Sequence, residues 1–259
     1  MKIIGIDGYN SFLGKNFITK YKKSLKIFKY NGDINKINDV KKFLSKKKIN
    51  IFIRLASLSR SSCVENKNNC YNTNYIANKK LVDHLIKQKI KLIFLSTSLV
   101  YKTSNKKLNE KSQTNPQDKY SFYKLKTENY IKNKLHNYLI IRSFNIYGKN
   151  QKLGFFIPDI RNKILNSENI IINNSVRDFI KVDDVSRFIK FTINKNINGI
   201  YNLGTGKSIS LKELILSISK KLNKKIKLTV NKKKDKLVND KQSLKKIGFK
   251  LRYEKNFNF

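Results

Sequence analysis

The chain predicts an α/β fold, a parallel sheet doubly wound with helices and followed by a small C-terminal lobe. Three observations carry this. Strand-sized apolar runs alternate with helix-sized segments through the first 145 residues, a glycine loop (GYNSFLG) follows the first run, and after Gly148 the alternation loosens. At 259 residues the chain is long enough to bury a substantial core.

KIIGID opens as a strand, and a helix follows over 15–23. LKIFKY (25–30) is a strand, 38–47 a helix, and INIFIRLA (49–56) a strand rich in β-branched residues. Over 74–89, Ile76, Leu81, Leu85 and Ile86 share one helical face. KLIFLST (91–97) is a buried-strand run, 120–134 is helical, and NYLIIRSF (137–144) is strand again. Short apolar strands between helices indicate a parallel sheet covered on both faces. Residues 1–150 thus form the sheet domain, with 176–204 returning to it; 151–175 and 205–259 form the lobe. There, a helix over 158–165 and a strand over 170–173 precede a helix over 183–194. GIYNLG is a strand, and SLKELILSISKKL (210–222) a helix with Ser210 as N-cap and Glu213 completing a capping box. KIKLTV, a solvated lysine loop at KKKDK (232–236) and SLKKIGF close the pattern.

The net charge of +40 invites a nucleic-acid reading. Arg supplies only seven of the 57 basic residues, however, and the lysines scatter through every segment. Readers of nucleic acid concentrate Arg forks and aromatic platforms, and neither is concentrated here. Abundant Lys and Asn are what an AT-rich genome encodes, so nucleic acid is not the expected partner. No window offers the roughly 18 apolar residues of a membrane span, and the N-terminal apolar stretch is too short for a signal peptide; the expected location is cytoplasmic. Cys63 and Cys70 are the only cysteines and His84 and His136 the only histidines. Both thiols read as free, and no metal site is expected.

A parallel sheet binds its ligand at the carboxyl ends of its strands, near the switch in strand order. There GYNSFLG supplies Gly8 for a tight turn and Gly14 for close helix packing, and the helix N-terminus faces a phosphate. Ser11 occupies the middle position, where glycine is usual, and crowds the approach. In YSFYK, Tyr120 and Lys124 lie on one helical face. A phenol titrates near 10, and a neighbouring ammonium with an oxidised nicotinamide lowers it toward use as a base. LSTSLVY places the Thr97 hydroxyl at the end of a central strand, toward the oxygen reacting at Tyr120.

With these motifs in register, the sequence resembles the extended short-chain dehydrogenases/reductases, specifically the NAD-dependent epimerase/dehydratase group acting on nucleotide sugars. The resemblance spans nearly the whole chain, adding NGDI (31–34), RLAS (54–57), NTN (72–74), RSFNIYG (142–148), RDFIKVDDV (177–185), YNLGTGKSIS (201–210) and SLKKIGF (243–249). It implies a Rossmann-type sheet with a substrate-binding lobe, NAD or NADP as cofactor, a nucleotide-sugar substrate and a homodimer. Thr97, Tyr120 and Lys124 become the catalytic set. Gly8, Ser11 and Gly14 surround the pyrophosphate, Asp33 and Ile34 lie near the adenine, Leu55 and Ala56 pass along the cofactor, and Lys124 also holds the nicotinamide ribose. Asn145 and Arg177 contact the substrate diphosphate; the plain alternative for Arg177 is an ion pair with Asp178 or Asp183.

The departures are informative. Ser98 and Leu99 stand where the group's dehydratases carry an Asp–Glu pair, which disfavours dehydration. Lys102 replaces a glycine. The stretch from Gly14 to Asp33 is short, and Lys29 and Tyr30 occupy the place of the acidic residue that grips the adenosine ribose, so NADP is admissible. The chain ends at NFNF, where relatives of this kind add a helix. The implied activity is 4-epimerisation of a nucleotide sugar. Its alternatives are NAD(P)H-dependent reduction of a 4-keto-sugar nucleotide and, from another class, RNA binding on a retired scaffold.

Overall fold

A computed structural model describes residues 2–252; the terminal NFNF lies outside them. The chain runs β1 (Ile3–Ile6), α1 (Phe12–Tyr21), β2 (Lys26–Lys29), α2 (Ile37–Lys46), β3 (Ile51–Arg54), α3 (Arg60–Glu65) and α4 (Lys67–Tyr71). A π-helical turn at Asn72–Ile76 leads into α5 (Ala77–Lys87), then β4 (Lys91–Thr97) and a 3₁₀ turn (Ser98–Val100). Next come α6 (Lys119–Lys134), β5 (Tyr138–Ser143), β6 (Asn145–Tyr147), α7 (Phe156–Leu165), β7 (Ile170–Arg177), β8 (Phe179–Lys181) and α8 (Val182–Asn194). β9 (Gly199–Leu203), β10 (Ile209–Ser210), α9 (Leu211–Lys221), β11 (Leu228–Leu237) and α10 (Gln242–Lys246) complete the described chain.

Six strands in the order β2-β1-β3-β4-β5-β9 form the main sheet, every pair parallel. Alternate side chains divide it into two cores. Ile4, Ile6, Ile51, Ile53, Ile93, Leu139 and Ile141 meet α1 and α8 through Phe17, Val185, Phe188 and Ile189. Phe52, Leu92, Phe94 and Ile140 face the other way, onto Val40 and Leu44 of α2, Leu81 and Leu85 of α5 and Ile131 of α6. The chain leaves β1 for β2 on one side and returns to β3 on the other, so strand order switches beside β1.

A smaller sheet, β10-β7-β11, packs on α7 and α9 through Ile157, Ile160, Ile164, Leu214, Ile215 and Ile218. Ser210 caps α9 and accepts from the Glu213 N–H, as expected. Two sequence expectations fail here. KKKDK is not a loop but part of β11, paired with β7 across a register shift between Asn231 and Lys234. Lys234 and Lys236 pair with β7 while Lys232 and Lys233 lie in the register shift, and none of this shows apolar alternation, so periodicity did not reveal it. Likewise β7 runs four residues beyond the expected strand, to Arg177.

The two cysteines are not free: Cys63 of α3 and Cys70 of α4 form a disulfide. Both are buried, and Asn74 Nδ2 lies 3.3 Å and 3.6 Å from the two sulfurs. The two short helices fold 63 and 70 onto each other, a proximity that residue spacing alone does not announce. Among the described residues, no helix is long and apolar enough to cross a membrane.

Candidate active site

β1 ends in Asp7 and the glycine loop. Gly8 has φ +59°, and a Cβ there would lie 2.5 Å from the Ala56 nitrogen. At Gly14 a Cβ would lie 2.2 Å from the Gly8 carbonyl oxygen. Only glycine fits either position, and the loop packs tightly on the chain's own backbone at the head of α1. Ser11 has an ordinary extended conformation (φ −66°, ψ 165°), so its position needs no glycine. It is the N-cap of α1, its hydroxyl accepting from the Gly14 N–H at 3.1 Å.

Beneath this loop lies a buried ion pair that motif reading missed. Arg54 Nη1 donates to Asp7 Oδ2 at 2.5 Å. Asp7 Oδ1 accepts the Leu55 and Ala56 N–H groups at 2.7 and 3.0 Å. Arg54 Nε also donates to Asn78 Oδ1 at 2.8 Å. The carboxyl ends of β1 and β3 are thereby locked at the strand-order switch. The signal was present: KIIGID and INIFIRLA are apolar strands that each end in one charge, of opposite sign.

Tyr120, Lys124, Thr97, Ser11, Leu55 and Asn145 line one cleft of about 350 Å³. α6 begins at Asp118, whose carboxylate caps Ser121 N at 2.8 Å and pairs with Arg60 at 2.7 Å. Its inner face then presents Tyr120 and Lys124, with the ammonium 5.8 Å from the Tyr120 ring centre. Lys124 is buried and donates to the Leu95 carbonyl at 2.8 Å. Burial, followed by the nearby Arg54 charge, lowers Lys124 to about 7, with Asp7 and Glu128 opposing. Burial and then Asp118 push the Tyr120 phenol up to about 12, against a hydrogen bond with Ser57. Thr97 caps the 3₁₀ turn, its Oγ1 accepting from Leu99 N at 3.2 Å. Leu99 adds an apolar wall to the cleft.

A second buried pair supports this floor. Glu128 binds Arg142 through Oε2 at 2.6 Å and accepts from Ser96. Arg142 also donates to the Tyr101 hydroxyl at 2.8 Å, which donates to Asn202 at 2.6 Å. RDFIKVDDV and YNLGTGKSIS meet at Asp178, whose carboxylate accepts from Thr205 N and Oγ1, Gly206 N and Asn239 N. Asn145 is held beside it, donating through N to the Asp178 carbonyl at 3.1 Å.

Other expected residues sit apart from the cleft. Asp33 Oδ1 caps its own turn through Asn35 N at 2.9 Å, and Ile34 is buried in the core beneath α2. Arg177 pairs with Asp235 of β11, neither Asp178 nor Asp183, and donates to the Val176 carbonyl at 3.0 Å. On the cleft wall, sequence reasoning gave no role to Ser59, Arg60, Gln151 or Phe155. At the end of β2, the Lys29 ammonium lies 5.6 Å from the ring centre of Tyr9, whose hydroxyl donates to Asn31 at 2.6 Å.

A family model described as "NAD dependent epimerase/dehydratase family" matches residues 11–204. The dTDP-D-glucose 4,6-dehydratase of Dictyostelium discoideum is 28% identical over 235 residues, 81% of this chain and 53% of that protein. The chain spans about half the length of the first curated relatives it matches. Among solved structures, MoeE5 in complex with UDP-glucose and NAD superposes with TM-score 0.86 at 20% identity, covering 98% of this chain and 94% of that one. A dTDP-4-dehydrorhamnose reductase from Bacillus anthracis in complex with NADP gives 0.84 at 20% identity, covering 97% and 94%.

Proposed function

Because the chain belongs to the NAD-dependent epimerase/dehydratase family, we propose that it carries out NAD(P)-dependent oxidoreduction of a nucleotide-activated sugar, in the form of 4-epimerisation. The observation that carries this is the shared cleft: Thr97, Tyr120 and Lys124 open onto the same space as the glycine-loop N-cap Ser11. Gly8 and Gly14 let the loop turn tightly and pack against the backbone at Ala56 and Gly8, the close packing that a dinucleotide-binding loop needs. The dinucleotide, when bound, supplies hydride transfer.

The chain's own residues supply position and proton movement. Tyr120 takes the proton of the sugar hydroxyl, and Thr97 orients that oxygen. In the ligand-free site the phenol is held neutral, so base function requires added positive charge beside it. Lys124 anchors the ribose side and contributes charge when protonated. Asn145 faces the substrate diphosphate, while Arg177 reaches it only by leaving Asp235. With Leu99 on the cleft wall and Ser98 buried beside it, neither position offers the acid or base of a dehydration.

One observation favours a second reading, reduction of a 4-keto-sugar nucleotide. Among the described residues, β2 pairs with β1 alone and forms the sheet edge, and Lys29 stands at its end where a 2′-phosphate would be read. RNA binding on the same scaffold remains the reading from another class, motivated by the +40 charge. An exposed row of aromatics, Tyr71, Phe122 and neighbouring Tyr123, supports self-association through α4 and α6.

The deciding experiment pairs mass spectrometry of co-purifying ligands with two assays. Conversion of UDP-glucose to its 4-epimer with no net cofactor turnover supports epimerisation. Stoichiometric NAD(P)H consumption with a 4-keto-sugar nucleotide supports reduction. Retention of RNA on filters at physiological salt, with neither activity, selects the third reading. In either enzyme, Tyr120→Phe lowers turnover about a thousandfold.

A further inference from the structure

A second cavity, of about 250 Å³, opens between α2 and α5, on the helical side of the sheet away from α1 and α8. Its lining is Ile37 and Lys41 of α2 with Lys80, Asp83, His84 and Lys87 of α5. The lining thus carries three lysines, one carboxylate and one imidazole. Among the described residues none of these lysines is in an ion pair. Asp83 is already engaged, accepting the hydroxyl proton of Tyr130 from α6 at 2.6 Å. The His84 Nε2 atom is buried and has no hydrogen-bond partner among the described residues.

Buried polar atoms are nearly always paired, and a lone unpaired one marks a place where a partner belongs. The partner's chemistry follows from the walls. Three flexible cationic point donors around an imidazole, with the one carboxylate turned to a phenol, suit an oxyanion carrying several acceptor oxygens. The volume accommodates a phosphate or diphosphate group. We propose that the α2–α5 cavity is a binding site for a phosphate-type oxyanion, held by Lys41, Lys80 and Lys87 beside the His84 imidazole. This lies outside the cleft that holds Tyr120, so it stands or falls independently of the activity proposed above.

Burial, then Lys41 and Lys87, lower the His84 imidazole below its ordinary value. An anion among those ammonium groups offsets their repulsion of the imidazolium, so binding raises it. His136 is the only other histidine and is exposed on the chain's surface. The imidazole proton resonances of the full-length protein thus give one reporter and one internal control.

The test is a proton-NMR pH titration of both histidines with inorganic phosphate, inorganic pyrophosphate, ADP, or sodium chloride at matched ionic strength. The expected result is a saturable rise of about one pH unit for His84 with pyrophosphate, absent with chloride, and no specific change at His136. A matching rise with ADP assigns recognition to the phosphates alone; a rise with ADP only assigns part of it to the nucleoside. In Lys41→Gln/Lys87→Gln, two exposed substitutions, the anion-free His84 titrates higher and the anion-induced rise shrinks at least twofold. A His84 that responds equally to chloride, or to none of the phosphates, overturns the proposal.

Discussion

At the scale of single residues, Ser11 and Lys124 behave differently from what their motifs suggest. Ser11 fills a glycine position without backbone strain, and its hydroxyl accepts from the Gly14 N–H. Ser11→Ala is expected to cost about 1 kcal/mol of stability through the lost cap, and Ser11→Gly only a few tenths. Ser11→Gly should also tighten dinucleotide binding, measurable by fluorescence titration, because it clears the approach. Lys124 is lowered from 10.5 to about 7, so between those values the unfolded chain binds more protons than the folded one. Stability of the ligand-free protein therefore rises with pH across that window, by about 1 kcal/mol per unit from this group. Tyr120, raised to about 12, acts oppositely: the folded state keeps its proton longer, and stability falls as pH climbs from about 10. Urea unfolding at pH 7 and pH 9 should show the rise, and Lys124→Met should flatten it.

At the scale of elements, strands and capped helices were legible because they obey simple periods, and α6 shows where that reading stops. Its buried face holds Ser121, Lys124, Thr127, Glu128 and Ile131, so an inward polar network replaces the apolar stripe. YxxxK marked it instead, through chemistry. The same network explains why Asp7–Arg54 and Glu128–Arg142 escaped motif reading: each pair joins residues distant in sequence. The α3–α4 segment was unreadable for a related reason, since its order rests on a disulfide, on Asn74 and on caps at Ser59 and Asn66. Cys63 and Cys70 should resist alkylation until a reductant is added, as mass spectrometry would show. Replacing both with Ser should lower stability by about 2 kcal/mol. Because Ser57, Leu58, Ser59 and Arg60 line the cleft just ahead of the bridge, substrate affinity should weaken in the same variant.

At the scale of the whole molecule, the parallel sheet followed from alternation, and the cleft takes in Leu55, Thr97 and Ser143 at or just past carboxyl strand ends, where such sheets bind ligands. The small sheet did not follow from alternation, because β11 carries Lys232, Lys233 and Lys234 exposed where an apolar strand would show its pattern. Those lysines have a consequence for the protein's fate in solution. Among the described residues, β2 ends the large sheet and β11 the small one, where the Lys236 carbonyl meets another segment, accepting the Ser104 N–H at 3.2 Å. Lysines stand on both, at Lys26 and Lys29 and along β11. A second copy approaching either border to extend the sheet meets a row of like charges, and the bulge beside Lys234 spoils its register. The charge that first suggested a polyanion partner thus also guards the chain against its own kind. Replacing Lys232, Lys233 and Lys234 together by Thr should leave the fold intact and shorten the lag before light scattering rises at 37 °C. High salt should do the same to the unaltered protein by screening the repulsion.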